Sequence, residues 1–140
     1  MPTITVSTHG QGLYEVTHLV ESILDDYCNS HNSNFDGLLT VFIQHTSASL
    51  VIQENADPTA KHDLENWLSR FVPENDPNFT HTHEGPDDMP SHIKAALTQT
   101  SIGIPIIEGR LALGTWQGIY LWEHRKMAHR RKLAINILGQ

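Results

Sequence analysis

Beyond position 100 the chain offers only short β runs, at 102–107, 110–113, 118–122 and 133–138, with no helical period between them. Strands without the regular strand-helix alternation of a parallel sheet argue largely antiparallel pairing. In the last run Leu133, Ile135 and Ile137 point one way and Lys132, Ala134 and Asn136 the other, the alternation of a half-buried strand. Glu108-Gly109 sits between two of the runs as a two-residue hairpin turn.

The first hundred residues mix the two periods. Positions 3–7 read as a strand, followed by a turn at His9-Gly10-Gln11-Gly12, and 38–44 and 50–53 read as buried strands. Val16, Leu19, Val20, Ile23, Leu24 and Tyr27 recur at helical spacing, predicting a helix over 17–29 with Thr17 as its cap. Asp57-Pro58 is a strong helix start, since the carboxylate receives free amides and proline fits the first turn. Leu64, Trp67, Leu68 and Phe71 would form the buried face of that helix. A third, shorter helix over 89–98 would be capped by Asp87 or Asp88 and would turn Ile93, Ala96 and Leu97 inward. Strands and helices in this irregular order predict one α+β domain over 1–140, built on a largely antiparallel sheet with about three helices.

Composition narrows the function. With 39% apolar and 18% charged residues in 140, the chain can build one core, which excludes disorder and fibre. No apolar run approaches the ~20 residues of a membrane span, and the N-terminus lacks the basic and apolar stretches of a secretory signal, so a cytoplasmic protein without membrane contact is expected. A net charge of -7 disfavours nucleic acid as a partner. Five of the nine bases nonetheless fall between Arg125 and Lys132, either as solvated hairpin flanks or as a local anion site. Cys28 is the only cysteine, so metal chemistry would have to use histidine and carboxylate.

Ten histidines are present, and their placement matters more than their number. Positions 73–86 form a polar, proline-bearing segment without period, a long loop of the kind that carries function. There and just beyond, His81, His83 and His92 bracket Glu84, Asp87 and Asp88, the mixture of imidazole and carboxylate that a divalent metal takes. Glu54, Asn55, Asp57, His62 and Asp63 form a second polar group, in which paired carboxylates can divide acid from base work. Ser47 and Ser49 lie near His45, but no G-x-S-x-G elbow exposes either hydroxyl, and neither a dinucleotide fingerprint nor a P-loop is present. Gly114-Thr115-Trp116-Gln117-Gly118 suggests a bulge where backbone comes close to a ligand or another chain.

Taken in order, His45-Thr46-Ser47-Ala48-Ser49-Leu50, Glu54-Asn55-x-Asp57-Pro58, His81-x-x-Glu84-Gly85-x-Asp87-Asp88-Met89-Pro90-x-His92-Ile93-Lys94, Gly114-Thr115-Trp116-Gln117-Gly118-Ile119 and Glu123-His124-Arg125 resemble the YjbQ family, also called secondary thiamine-phosphate synthase enzymes. The resemblance runs over nearly the whole chain. It implies a compact α+β fold around a β-sandwich-like sheet, a homotrimer with pockets close to subunit contacts, and a weak transferase activity. That activity joins a pyrimidine diphosphate to a thiazole phosphate and releases pyrophosphate. It further implies His45, His81 and His92 as ligands of a divalent metal, zinc, magnesium or manganese, and gives His83 no part. Glu84, Asp87, Asp88 and Glu54 would be the catalytic carboxylates. Lys94, Arg110 and Arg125, with Thr115 and Gln117, would bind a small phosphorylated substrate. The alternative is a trimer that binds a metal or a phosphometabolite without catalysis.

Overall fold

The computed structural model describes all residues, 1–140. Its elements run β1 (Thr3–Thr8), β2 (Gly12–Glu15), α1 (Thr17–Ser30), β3 (Gly37–Ile43), β4 (Ala48–Glu54), α2 (Pro58–Phe71), α3 (Asp88–Leu97), β5 (Ser101–Ile107), β6 (Arg110–Leu111), β7 (Gln117–Glu123) and β8 (His129–Gly139). Two antiparallel sheets result, one of five strands in the order β1-β8-β3-β5-β6 and one of three in the order β2-β7-β4. The α+β architecture with three helices is therefore the one that the periodicities predict. No helix is long and apolar enough to cross a membrane.

The sheets face each other across a core to which both contribute, Leu39, Val41, Leu133 and Ile135 from one and Leu50, Ile119 and Leu121 from the other, with Val20 and Leu24 of α1 closing one side. The smaller sheet is covered on its second face as well. There Leu13, Tyr120 and Trp122 pack against Leu68 of α2 and Val72 just beyond it. β7 is consequently buried from Gly118 to Glu123, with Ile119 and Leu121 turned to the sandwich and Tyr120 and Trp122 to the helices.

Several local expectations change. Thr17 opens α1 without capping it, because its hydroxyl donates to Glu15 and accepts the amide of Ile119 instead. Asp57 caps α2 as expected, accepting from the amide of Thr59. In that helix only Leu68 is buried; Trp67 and Phe71 stack on each other with centroids 4.9 Å apart and stay 51% and 58% exposed. In α3 the buried positions include Ser91, Lys94 and Ala95, while Leu97 faces outward. Neither Asp87 nor Asp88 caps α3 through its side chain. Both carboxylates are committed elsewhere.

Candidate metal centre

Three segments distant in sequence meet at the start of α3. The long loop at 73–86, which forms neither helix nor strand, supplies His81. The helix supplies Asp88 and, one turn later on the same face, His92. The connection between β7 and β8 supplies Arg125. His81 Nε2 lies 2.6 Å and His92 Nε2 3.1 Å from the same oxygen, Asp88 Oδ2. The three ligand atoms all lie within 4.8 Å of one another. Behind them the Arg125 guanidinium donates to Asp88 Oδ1, to Asp87 Oδ2 at 3.0 Å and to the Glu84 carbonyl at 2.9 Å. Asp87 Oδ2 also accepts the Lys126 amide at 2.8 Å.

Burial pushes the Asp88 carboxyl upward, but the hydrogen bond from His81 and the charges of Arg125 and His92 outweigh it and hold the group below the usual carboxylate range. Asp87 is held low in the same way, burial being overcome by the Lys126 amide and Arg125. Asp88 is therefore an ionised acceptor.

That state creates a demand at His92. Its Nδ1 lies 2.8 Å from the Thr46 carbonyl, which only accepts, so Nδ1 carries a proton. Nε2 faces an ionised carboxylate oxygen 3.1 Å away, a contact that needs a positive charge between the two atoms. Two acceptors at that distance repel unless a cation lies between them, either a second proton on the ring or a metal ion. A carbonyl that fixes Nδ1–H and leaves Nε2 free is the usual support of a metal-bound histidine. Two imidazoles and one carboxylate with space left around them fit zinc or manganese better than magnesium, which takes oxygen ligands and retains water.

A second polar group, deeper in the fold, links the two sheets. Glu123 at the end of β7 is fully buried and accepts from Thr8 of β1 at 2.6 Å and from Arg131 Nε of β8 at 2.8 Å, while Arg131 reaches on to the Ser47 hydroxyl at 2.9 Å. Burial raises the Glu123 carboxyl, yet Arg131, Thr8 and the Arg125 amide together hold it below its ordinary value. The next residue, His124, turns to the helix side and shares a 2.9 Å hydrogen bond with Ser49. Burial, aided by the Lys94 charge, pushes this imidazole down to about 3, so it is neutral. Ser49 is fully enclosed, which leaves no approach for an acyl substrate.

The residues expected at one site are thus distributed. Asp88 rather than His45 stands with His81 and His92. His45 Nε2 accepts the Lys132 amide at 2.8 Å, and the His45 ring lines a surface cavity together with His92. Glu84 is exposed on the His81 loop, and His83 is exposed beside it with no place in the cluster. Lys94 is buried but turns toward a different cavity. Glu54 and Gln117 pair with each other six residues along the β4–β7 ladder from the Ala48–Glu123 pair, about 20 Å away at ~3.4 Å per residue. Thr115 lies in the same distant turn, where Gln117 accepts the Gly114 amide. Arg110 lies at the outer edge of the larger sheet, in a cavity shared with Glu21 and Asp25 of α1. The basic run is dispersed too, since Arg125 binds Asp87 and Asp88, Lys126 binds Glu74, and Arg131 binds Glu123.

The Glu123–Arg131 pair was legible as parity rather than as a motif. Arg131 shares the inward register of Leu133 and Ile135, and Glu123 that of Ile119 and Leu121, so two opposite charges fall at the rim of one core.

A curled two-sheet α+β protein, with a candidate two-histidine, one-aspartate metal centre where its long loop meets a short helix, is the class defined here. The model of the UPF0047 protein YjbQ-like family matches residues 2–140, and the chain belongs to that family. It is 44% identical to UPF0047 protein YjbQ of Escherichia coli O157:H7 over 138 residues, 99% of this chain and 96% of that one. It is also 44% identical to UPF0047 protein sll1880 of Synechocystis over 137 residues, 98% and 90% of the two chains. Among solved structures, an uncharacterised conserved protein of the YjbQ/UPF0047 family from Clostridium acetobutylicum superposes with a TM-score of 0.86 at 33% identity, covering 99% of this chain and all of that one. The conserved hypothetical protein TT1486 from Thermus thermophilus gives 0.85 at 31%, with the same coverage.

Proposed function

We propose that the protein is a divalent-metal-dependent enzyme acting on a small phosphorylated substrate, with thiamine-phosphate synthase chemistry as a weak activity of the same site. The observation that carries this reading is the convergence of His81, His92 and an ionised Asp88 on one point, with the His92 tautomer fixed by Thr46. His81, Asp88 and His92 would hold the metal, which when bound relieves charge on a departing diphosphate. Arg125 and Asp87 fix the Asp88 carboxylate in place; Arg125 gives one bond from each of its three nitrogens to them and to Glu84, which suits a positioning residue better than a phosphate clamp. Glu84, exposed on the loop that carries His81, is the carboxylate free to move a proton. The long loop also borders a cavity of about 360 Å³ between Phe79, His81, Pro86 and Met89, room for an organic ring beside the metal centre.

The test is elemental analysis with a pyrophosphate-release and thiamine-phosphate assay on wild type, His81→Ala, Asp88→Asn, His92→Ala and His45→Ala. Stoichiometric zinc or manganese is expected in wild type and His45→Ala. It should be lost, together with turnover, in the other three. Wild type that takes up no metal when either ion is supplied would remove the reading.

One observation favours the binding-module alternative. Within one chain Arg110, Thr115 and Gln117 stand apart from the metal centre, so the expected substrate-binding residues do not surround it. Stoichiometric metal with no turnover on phosphorylated substrates would select that alternative. Homotrimer formation belongs to the same proposal and is tested at the scale of the whole molecule below.

A further inference from the structure

Lys94 is the buried charge that the metal centre leaves unused. It follows His92 by two residues on α3, which turns it about 200° around the helix axis from that ligand. It lines a separate cavity of about 230 Å³ between α2, the start of β2 and the end of β7, with Gln11, Asn66, Ser69 and His124 among the other walls. Only 5% of Lys94 is exposed, and its ammonium is part of no ion pair. No fully enclosed polar side-chain atom lacks a partner, so the unpaired ammonium remains open to the cavity.

The surrounding carboxylates are already committed. Asp87 is held by Arg125 and Lys126, Glu74 by Lys126, and Glu123 by Arg131 and Thr8. Glu65 accepts the Leu13 amide at 2.7 Å. His124 uses Nε2 on Ser49, which leaves Nδ1 without a partner at the cavity wall. A buried ammonium without a counter-charge is unfavourable unless something supplies one. Hydroxyl, amide and imidazole groups around a compact ammonium are the set that satisfies the several oxygens of a phosphate. The volume is below the ~300–1,000 Å³ of pockets that take whole drug-sized ligands, so the occupant is small.

We propose that this cavity is a phosphoryl-binding site, separate from the metal centre, that takes inorganic phosphate or the terminal phosphate of a small metabolite. It does not depend on the metal reading.

Calorimetric titration of chelator-treated protein with inorganic phosphate and with glycerol phosphate, at ionic strength matched by chloride, tests it on wild type, Lys94→Met, Ser69→Phe and His92→Ala. Wild type and His92→Ala should bind phosphate with Kd values within about twofold. Lys94→Met should weaken binding about tenfold or more, the loss of one charge-assisted contact. Ser69→Phe, at an exposed α2 position on the cavity wall, should block binding without touching the core, and it decides the matter if Lys94→Met does not fold. Binding of both ligands assigns the site to the terminal group of a metabolite, and binding of phosphate alone assigns it to the free anion. Undiminished affinity in Lys94→Met or Ser69→Phe, equal heats from chloride, or loss of binding in His92→Ala would each overturn the proposal.

Discussion

Arg131 and Glu123 are the residues whose removal separates pairing from burial. Arg131→Met leaves an ionised carboxylate buried between the sheets with only Thr8 and the Arg125 amide, and should cost about 3–5 kcal/mol in urea unfolding. Adding Glu123→Gln removes the orphaned charge, and the double variant should recover more than half of that loss. A double variant no more stable than the single one would show that the damage lies in packing. His124 gives the complementary case. Its folded pKa, about 3, lies below the ordinary 6.5, so between those values the unfolded chain binds a proton that the folded one refuses. Stability therefore rises with pH across that window and is lost as pH falls below 6.5, with a slope of about 1.4 kcal/mol per pH unit from this one group. His45, also lowered, adds to the slope in the same sense. His124→Gln, which can still meet Ser49, should flatten the slope between pH 6.5 and 5; unchanged slopes would assign the effect elsewhere.

At the scale of elements, the β5–β6 hairpin turns on Glu108 and Gly109, both at positive φ, 51° and 78°. A Cβ on Gly109 would collide with the Ser33 carbonyl, so Gly109→Ala is expected to destabilise by about 1–3 kcal/mol in thermal unfolding. Glu108→Gly should be tolerated or stabilising. The hairpin was legible from two residues, and so were α1, α2 and most of the strands, because each shows one period over enough positions. β2 was not. It spans only Gly12–Glu15 directly after a glycine turn, and its pairing with β7 is set by the rest of the sheet rather than by its own residues. The inner faces of α2 and α3 also read differently from their apolar pattern. Trp67, Phe71 and Leu97 are exposed while Lys94 is buried, since periodicity reports where apolar residues recur and not which neighbour covers them. At the candidate metal centre His81, Asp88 and His92 all belong to the histidine and carboxylate mixture read between positions 81 and 92, whereas His45, which the resemblance supplied, meets the Lys132 amide, a placement set by tertiary structure that no spacing encodes.

For the whole molecule, the outer face of the larger sheet carries the next question. Leu38 pairs with Pro105 and Leu138, and Phe42 with Ser101 and Ala134; Leu38, Phe42 and Leu138 are exposed there. Thr40, Gly103 and Asn136 lie between the two groups, so the face carries two apolar patches, each a candidate contact for the proposed homotrimer. If the proposed homotrimer uses this face, light scattering of the wild type at micromolar concentration should give three times the 15.7 kDa chain mass, and Phe42→Glu should give a monomer that keeps its circular dichroism. A Phe42→Glu trimer would exclude this face as the interface.

The loop that brings His81 to Asp88 and His92 is held by consecutive residues of a single turn. Arg125 grips the Glu84 carbonyl near its end and Lys126 grips Glu74 near its start. Two cations from one tight connection thus close the segment into a ring, and part of its conformational freedom is removed before any ligand arrives. Proteases should pass over this segment despite its length and polarity, and cutting both ties should turn it into the first place where the chain is nicked.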